Sequence, residues 1–267
     1  MSLPDAFTGS GRADSFWRET LDNTTYIALS RIDVLTRALD VTANNLANAN
    51  TDGYKATRQL FSEYLVHQND VHTPAGEKDE AYTQDKATYQ DHLQGALRQT
   101  GNPTDFAING EGYFTVRTTQ GIRLTRNGQF HRRLDGTVVD GSGNPILDNN
   151  GRNLVLQQQD DVLSVASDGT ISTENGMVGT IGLVTVDNLQ TLVPEGNYLL
   201  RPTARTRAVA RPEIRQGMLE SSNVNPVSET TKLVEIQRDY DLTFQLLQTE
   251  STRNMNAIDK ITAEPMS

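Results

Sequence analysis

The side chains in this sequence that could ligate a metal, cradle a phosphate or act as a nucleophile are few, and their spacing suits none of those roles. His67 and His72 lie in polar sequence, with His92 and His131 far along the chain, and lack the helical or strand spacing with inward carboxylates that a metal site needs. Asp148-Asn149-Asn150-Gly151 resembles the start of a calcium loop, but the bidentate glutamate at the twelfth position is missing, so an Asn-Gly turn accounts for it. Gly110 and Gly112 begin a G-x-G, yet Thr115 stands where a dinucleotide fingerprint has its third glycine, and Tyr113-Phe114 opens a strand rather than a helix. G-x-S-x-G, H-E-x-x-H and Walker patterns are absent. With 0 Cys there is no thiol nucleophile, disulfide framework or Cys-ligated metal. These residues predict no enzyme, no metal and no cofactor.

One charged cluster departs from the acidic mean: Arg201, Arg205, Arg207 and Arg211, with Arg215 close behind. Without interleaved aromatics for base stacking it does not read as a nucleic-acid groove. A solvated strand or loop whose arginines pair with nearby acids, and a contact with an acidic neighbouring subunit, both remain open. The whole chain of 267 residues carries 24 Lys+Arg against 34 Asp+Glu, a formal net charge of -10, which argues against a polyanionic partner. At 36% hydrophobic, and with no apolar run approaching the roughly 20 residues needed to cross a bilayer, the chain is not expected to be membrane-embedded. Its first residues have neither a basic n-region nor an apolar h-region, so a cleaved secretory signal is not expected.

The elements that must position these side chains follow from where helix breakers fall. Glycine is absent from Arg12 to Asp52 and after Gly217, and proline is absent between Pro4 and Pro74 and between Pro226 and Pro265. Two long uninterrupted segments therefore flank a turn-rich middle. In the first, Ala28, Ile32, Leu35, Leu39, Thr42, Leu46 and Ala49 alternate spacings of four and three; in the second, Leu233, Ile236, Tyr240, Thr243, Leu247, Asn254, Ala257 and Ile261 do the same. Both are narrow apolar seams that need an outside surface to cover them. The middle alternates in strand fashion at 112–117 and 122–126, with further candidate strands at 137–140, 153–158, 162–166, 170–173, 179–187 and 197–200 between Asp-Gly and Asn-Gly turns. The expected fold is α+β: long N- and C-terminal α-helices forming a coiled-coil-like inner domain, with a central, mostly antiparallel β domain. The expected division is an N-terminal extension over 1–21, a helical domain over 22–65, a polar connector over 66–92, the β domain over 93–215 and a second helical domain over 216–267.

Where the first helix should end, Asn44, Asn45, Asn48 and Asn50 crowd around Leu46 and precede Gly53. Asparagine is a poor helix former. Its amide can bond across a helix interface, setting register at a cost in stability, or cap a terminus, and Gly53 can take the positive φ that ends a helix.

These residues carry a resemblance. Thr42-Ala43-Asn44-Asn45-Leu46-Ala47-Asn48 followed by Thr51-Asp52-Gly53-Tyr54-Lys55 resembles the N-terminal signature of the bacterial flagellar axial proteins of rod and hook. Gly217-Met218-Leu219-Glu220-Ser221-Ser222-Asn223-Val224-Asn225, then Glu229 and Glu235-Ile236-Gln237-Arg238-Asp239-Tyr240, resembles their C-terminal signature. Asn109-Gly110-Glu111-Gly112-Tyr113-Phe114 and Leu124-Thr125-Arg126-Asn127-Gly128-Gln129-Phe130 are similar to the family's central β segment. The resemblance runs from about Asp22 to Ile261. The short middle is like the rod members, and Asp22 to Arg31 is most similar to the proximal rod, with the distal rod as the alternative. Residues 1–20 depart from the family as an added segment, in which Phe16 and Trp17 would be natural anchors.

The resemblance implies a structural subunit of the flagellar basal-body rod that polymerises through its terminal helices into the axial drive shaft across the periplasm. Its implied partners are copies of itself, the other proximal and distal rod proteins, and the flagellar type III export apparatus, with export needing no cleaved signal peptide. The assembly surfaces would be the N-terminal seam with Asn44, Asn45, Asn48, Asn50 and Gly53, and the C-terminal seam from Leu233 to Ile261. A secreted β-rich adhesin or binding module is the reading of a different class.

Overall fold

The computed structural model describes residues 11–67, 79–157 and 163–263. Helix α1 spans Gly11–Ala47. Among the described residues seventeen strands follow: β1 Thr57–His67, β2 Asp79–Gln90, β3 Leu97–Gln99, β4 Phe106–Ile108, β5 Tyr113–Thr118, β6 Gly121–Thr125, β7 Phe130–Arg132, β8 Val138–Asp140, β9 Leu163–Val165, β10 Thr170–Thr173, β11 Gly176–Thr180, β12 Leu183–Val186, β13 Leu192–Pro194, β14 Leu200–Pro202, β15 Thr206–Ala208, β16 Ile214–Gln216 and β17 Met218–Glu220. Helix α2, Pro226–Ala263, closes the chain. Two compact units result, one of Met1–Ala43, Gln59–Thr88 and Val227–Ser267, the other of Asn44–Arg58 and Tyr89–Pro226.

The second unit is all β apart from the end of α1 and one 3-10 turn. Its largest sheet is antiparallel with strand order β13-β14-β6-β5-β12-β15, and β11-β10-β9 form a smaller sheet. Strand alternation sends Tyr113 and Phe114 to opposite faces of β5. Phe114 and Val116 join Phe106, Ile108, Phe130, Ile146, Ile171 and Ile214 in the main core, while Tyr113 packs with Leu124, Val186, Leu192 and Leu200 in a second cluster. Both faces of β5 are therefore covered, which is why Tyr113–Val116 is buried without a break. The Phe114 ring meets Phe130 edge-on, 5.4 Å between centroids at 87°, and Phe130 in turn tilts against Phe106.

Turns are set by aspartate. The Asp135, Asp140, Asp148 and Asp168 carboxylates each accept the backbone N–H two residues ahead. At Asp148 the same oxygen also accepts from Arg152, so the calcium-like segment is a turn with its carboxylate turned onto its own backbone. Three expected strands differ. The run 179–187 is broken into β11 and β12 because Gly182 lies so close to the Asp148 carbonyl that a Cβ would overlap it. The run 197–200 shifts to β14, since Asn197 and Tyr198 hold φ of 45° and 61° in the β13–β14 turn. Of the expected 153–158, Asn153 and Val155 form isolated bridges rather than a strand, and Gln158 lies outside the described residues.

The expected coiled-coil-like inner domain is overturned. Each end carries one helix, and no coiled-coil pair is established between them; the α+β class stands. Among the described positions of α1 the buried ones are Ala28, Val34, Ala38, Thr42 and Asn45, of which Ala28 and Thr42 belong to the expected seam, while Ile32, Leu35, Leu39 and Leu46 are only half-buried. Arg31 and Asp239 approach to 3.7 Å as an exposed ion pair. The helix ends within the asparagine segment, where the sequence places its end, and the rest of the expected helical domain 22–65 is not helix. It stops at Ala47 as Asn48 and Ala49 donate into tightened turns, and Gly53 takes φ 75°. Residues 57–67 form β1, paired with β2, so part of the expected connector is strand, while 68–78 lie outside the described residues. At the other end α1 begins at Gly11, inside the expected extension; the side chains of Phe16 and Trp17 fall outside the described set.

Phe114→Ala empties the centre of the aromatic cluster and is expected to cost about 3–5 kcal/mol in urea unfolding followed by circular dichroism.

Candidate functional site

The N-terminal helix positions named from sequence differ in exposure. Ala28, Thr42, Asn45 and Gly53 are buried, Ile32, Leu35, Leu39, Leu46 and Asn48 are half-buried, and Asn44 and Asn50 are exposed. On α2, Leu233, Ile236, Tyr240, Leu247 and Asn254 are half-buried and Thr243 buried, while almost every residue between them is exposed. This stripe keeps the three-four alternation. The side chains of Ala257 and Ile261 lie outside the described residues.

The asparagine segment closes on itself within the second unit. Asn45 donates from Nδ2 to the Thr57 carbonyl at 2.8 Å and accepts the Thr57 N–H at 2.9 Å, acting as the strand partner for the first residue of β1. The Tyr54 hydroxyl lies 3.1 Å from both Asn44 Oδ1 and Asn45 Oδ1, and Asn48 Nδ2 donates back to the Asn44 carbonyl. These bonds fix the path by which the chain leaves α1. Gly53 then passes against the Arg126–Asn127 peptide, where a Cβ would overlap backbone, and its N–H donates to the Glu220 carbonyl at 2.6 Å.

At this crossing lies the buried ion cluster of the second unit. Glu220 is 1% exposed. Its Oε1 accepts from Lys55 Nζ at 2.5 Å and from the Gly95 N–H at 2.9 Å, and its Oε2 accepts from Arg126 Nη1 at 3.1 Å. Lys55 also donates to the Leu93 carbonyl, and Arg126 to the Gly110 carbonyl, with its guanidinium carbon 5.1 Å from the Tyr113 ring centroid. Asn223 completes the join: it accepts the Ala56 N–H and donates to the Asp91 and Leu93 carbonyls. Burial draws the Lys55 amine below the usual lysine range, opposed by the Glu220 carboxylate. The Tyr113 phenol, buried too, is pushed up to about 12 and stays protonated. It lies 2.9 Å from His92 Nδ1, and burial draws that histidine below its usual range.

Chemically this is a fastening rather than a reaction centre. Its charges are spent on one another and on backbone carbonyls, and no group of ≥ 3 His, Cys, Asp or Glu placed to hold a metal occurs among the described residues. Sequence reasoning did not single out Lys55, Arg126 or Glu220 as a set. The signal present was that each of the three motif regions carries one of these charges, two cations and one anion.

Glu220→Gln keeps the shape but leaves two buried cations without a carboxylate, so it is expected to cost about 3–5 kcal/mol in urea unfolding, with Lys55→Met in the same chain recovering part of the loss. A histidine depressed below its unfolded value of 6.5 takes up its proton more readily once the chain unfolds. Stability is therefore expected to be unaffected by His92 above pH 6.5 and to fall as pH drops through the range below it. His92→Gln, which keeps a side-chain acceptor, should flatten that part of a pH series of thermal melts.

Known proteins follow the same arrangement along the chain. Residues 26–55 match the family described as flagella basal body rod protein, 107–173 the flagellar hook protein FlgE/F/G D1 domain, and 215–259 the flagellar basal body rod FlgEFG protein C-terminal family. The flagellar basal-body rod protein FlgF of Caulobacter vibrioides is 37% identical over 247 residues, covering 90% of this chain and 98% of the relative. FlgF of Mesorhizobium japonicum is 34% identical over 241 residues, 89% and 97% of the two chains, and FlgG of Bacillus subtilis 29% over 248, 84% and 93%. The three matched regions each bring one member of the Lys55, Arg126 and Glu220 cluster, and with relatives aligned over nearly their whole length the chain belongs to the bacterial flagellar basal-body rod proteins, as a structural rod subunit more similar to FlgF than to FlgG.

Proposed function

We propose that this rod subunit assembles through the apolar faces of α1 and α2, which neighbouring subunits cover. The carrying observation is unmet apolar surface on both helices. Tyr26 and Leu29 on α1 are 65% and 56% exposed, and Val227, Leu242 and Met255 on α2 are 74%, 64% and 57% exposed, with Phe244 and Leu246 nearly half exposed. Burying such groups is worth roughly 25 cal/mol per Å², so helices that leave them in water are incomplete until something packs against them. Contacts that do not close on themselves build a helical array, which is what a shaft requires.

The partners in this reading are further copies of the chain and the other rod proteins, proximal and distal, and the route to the periplasm is the flagellar type III export apparatus. The proximal position is supported by the higher identity to FlgF relatives. Deleting the gene is expected to give non-motile cells whose isolated basal bodies, viewed by electron microscopy, lack a complete rod, and the wild-type gene supplied in trans restores it. Motile deletion cells with complete rods would refute the reading.

A further inference from the structure

The acid excess is not spread evenly. The first unit carries 19 acidic against 10 basic residues and the second 15 against 14, together the chain's 34 and 24. Within the second unit, the segment from Gly196 to Pro212 holds arginines and no acid at all. Arg201 is absorbed by Glu195, which also takes Arg123, and Arg215 by Glu213. Arg207 lies 3.3 Å from Asp187, but both side chains are largely in water, a pairing of little strength. Arg205 and Arg211 are exposed, with no acidic partner among the described residues.

These three arginines lie on or beside β15, the outermost strand of the six-stranded sheet, which is paired on one side only, to β12. Val209 N–H donates to the Leu183 carbonyl, which fixes the phase of that ladder. Arg207 then faces Thr185 as a hydrogen-bonded pair, and the backbone groups of Thr206 and Ala208 point away from β12, off the sheet edge. All residues from Thr203 to Ala208 are exposed. An open edge gives affinity through main-chain hydrogen bonds, and the flanking charge selects what may pair with it.

We propose that the β15 edge, with Arg205, Arg207 and Arg211, is a docking strand for the acid-rich unit of a second copy of this chain. The proposal rests on the rod-subunit reading and adds which surface of the β unit meets a neighbour and by what chemistry. Charge complementarity chooses the occupant: the same chain offers a near-neutral unit with a cationic edge at Arg205, Arg207 and Arg211, and another unit in which acids outnumber bases nearly two to one.

The test is sedimentation velocity of the full chain at low and high salt, comparing wild type with Arg205→Glu/Arg207→Glu/Arg211→Glu and with the neutral Arg205→Ser/Arg207→Ser/Arg211→Ser; thermal melts confirm that both variants fold, as exposed edge and loop positions should allow. Wild type is expected to self-associate and to lose affinity between about 50 and 500 mM salt, with the Glu variant weaker at low salt by about tenfold or more and the Ser variant intermediate and less salt-sensitive. Edge charges in many sheets serve only to repel other strands. A Ser variant that associates more strongly than wild type would assign the arginines to that guarding role and overturn the proposal, as would a Glu variant indistinguishable from wild type or a wild type that does not associate at all. Rods restored in deletion cells by wild type and by the Glu variant alike would refute the docking strand and leave the rod reading intact, whereas complete rods in the deletion strain itself would refute the rod reading.

Discussion

One carboxylate holds the β unit to the start and finish of its own chain. Glu220 is withdrawn from water, and such a charge is tolerable only where every lone pair is met. Lys55, Arg126 and the Gly95 amide meet it, and each arrives on a different stretch of backbone. The close passage of Gly53 over the Arg126–Asn127 peptide, the Asn223 bonds to Ala56, Asp91 and Leu93, and the cation–π contact of Arg126 with Tyr113 are all arranged around that requirement. The aromatic core around Phe114 gives the unit its bulk stability, but it contains nothing from the helix ends. What ties those ends in is polar, directional and intolerant of a missing partner.

The helices follow a different logic. Their less exposed stripe is built of small and polar residues as much as of large apolar ones, Ala28, Ala38, Thr42 and Thr243 among them, while bulky side chains such as Leu242 and Phe244 are left outward. A monomer optimised for its own sake would bury the second set first. The distribution makes sense for a part whose native environment includes other subunits, and the family to which the chain belongs is one of assembled parts.

Much of this could be read from the amino acids. The gap in glycine and proline announced both helices, and the alternation Tyr113-Phe114-Thr115-Val116 announced β5, because those signals are local. The stripe from Leu233 to Asn254 is visible as a repeat, and α2 shows it. The reading failed where distant residues decide. Nothing local says that 57–67 is a strand, since its partner, β2, comes after an intervening segment; nothing local says that the two seams do not combine into a coiled coil. Asn45 could be read as a bridging amide or as a cap, and only the position of Thr57 shows how it is used. Lys55, Arg126 and Glu220 were quoted in three motifs without being linked, because the charges that neutralise one another are up to 165 residues apart.

That separation has a kinetic meaning. Closing a loop of such length is entropically costly and is repaid only when the final contact forms. In a chain delivered from its N-terminus, Lys55 lacks its carboxylate partner until the 165 residues to Glu220 have followed, and the β unit gains that carboxylate only then. The Lys55–Glu220 contact thus acts as a measure of length: a chain truncated before Glu220 lacks the carboxylate that Lys55 and Arg126 share, so an incomplete subunit does not present a finished junction.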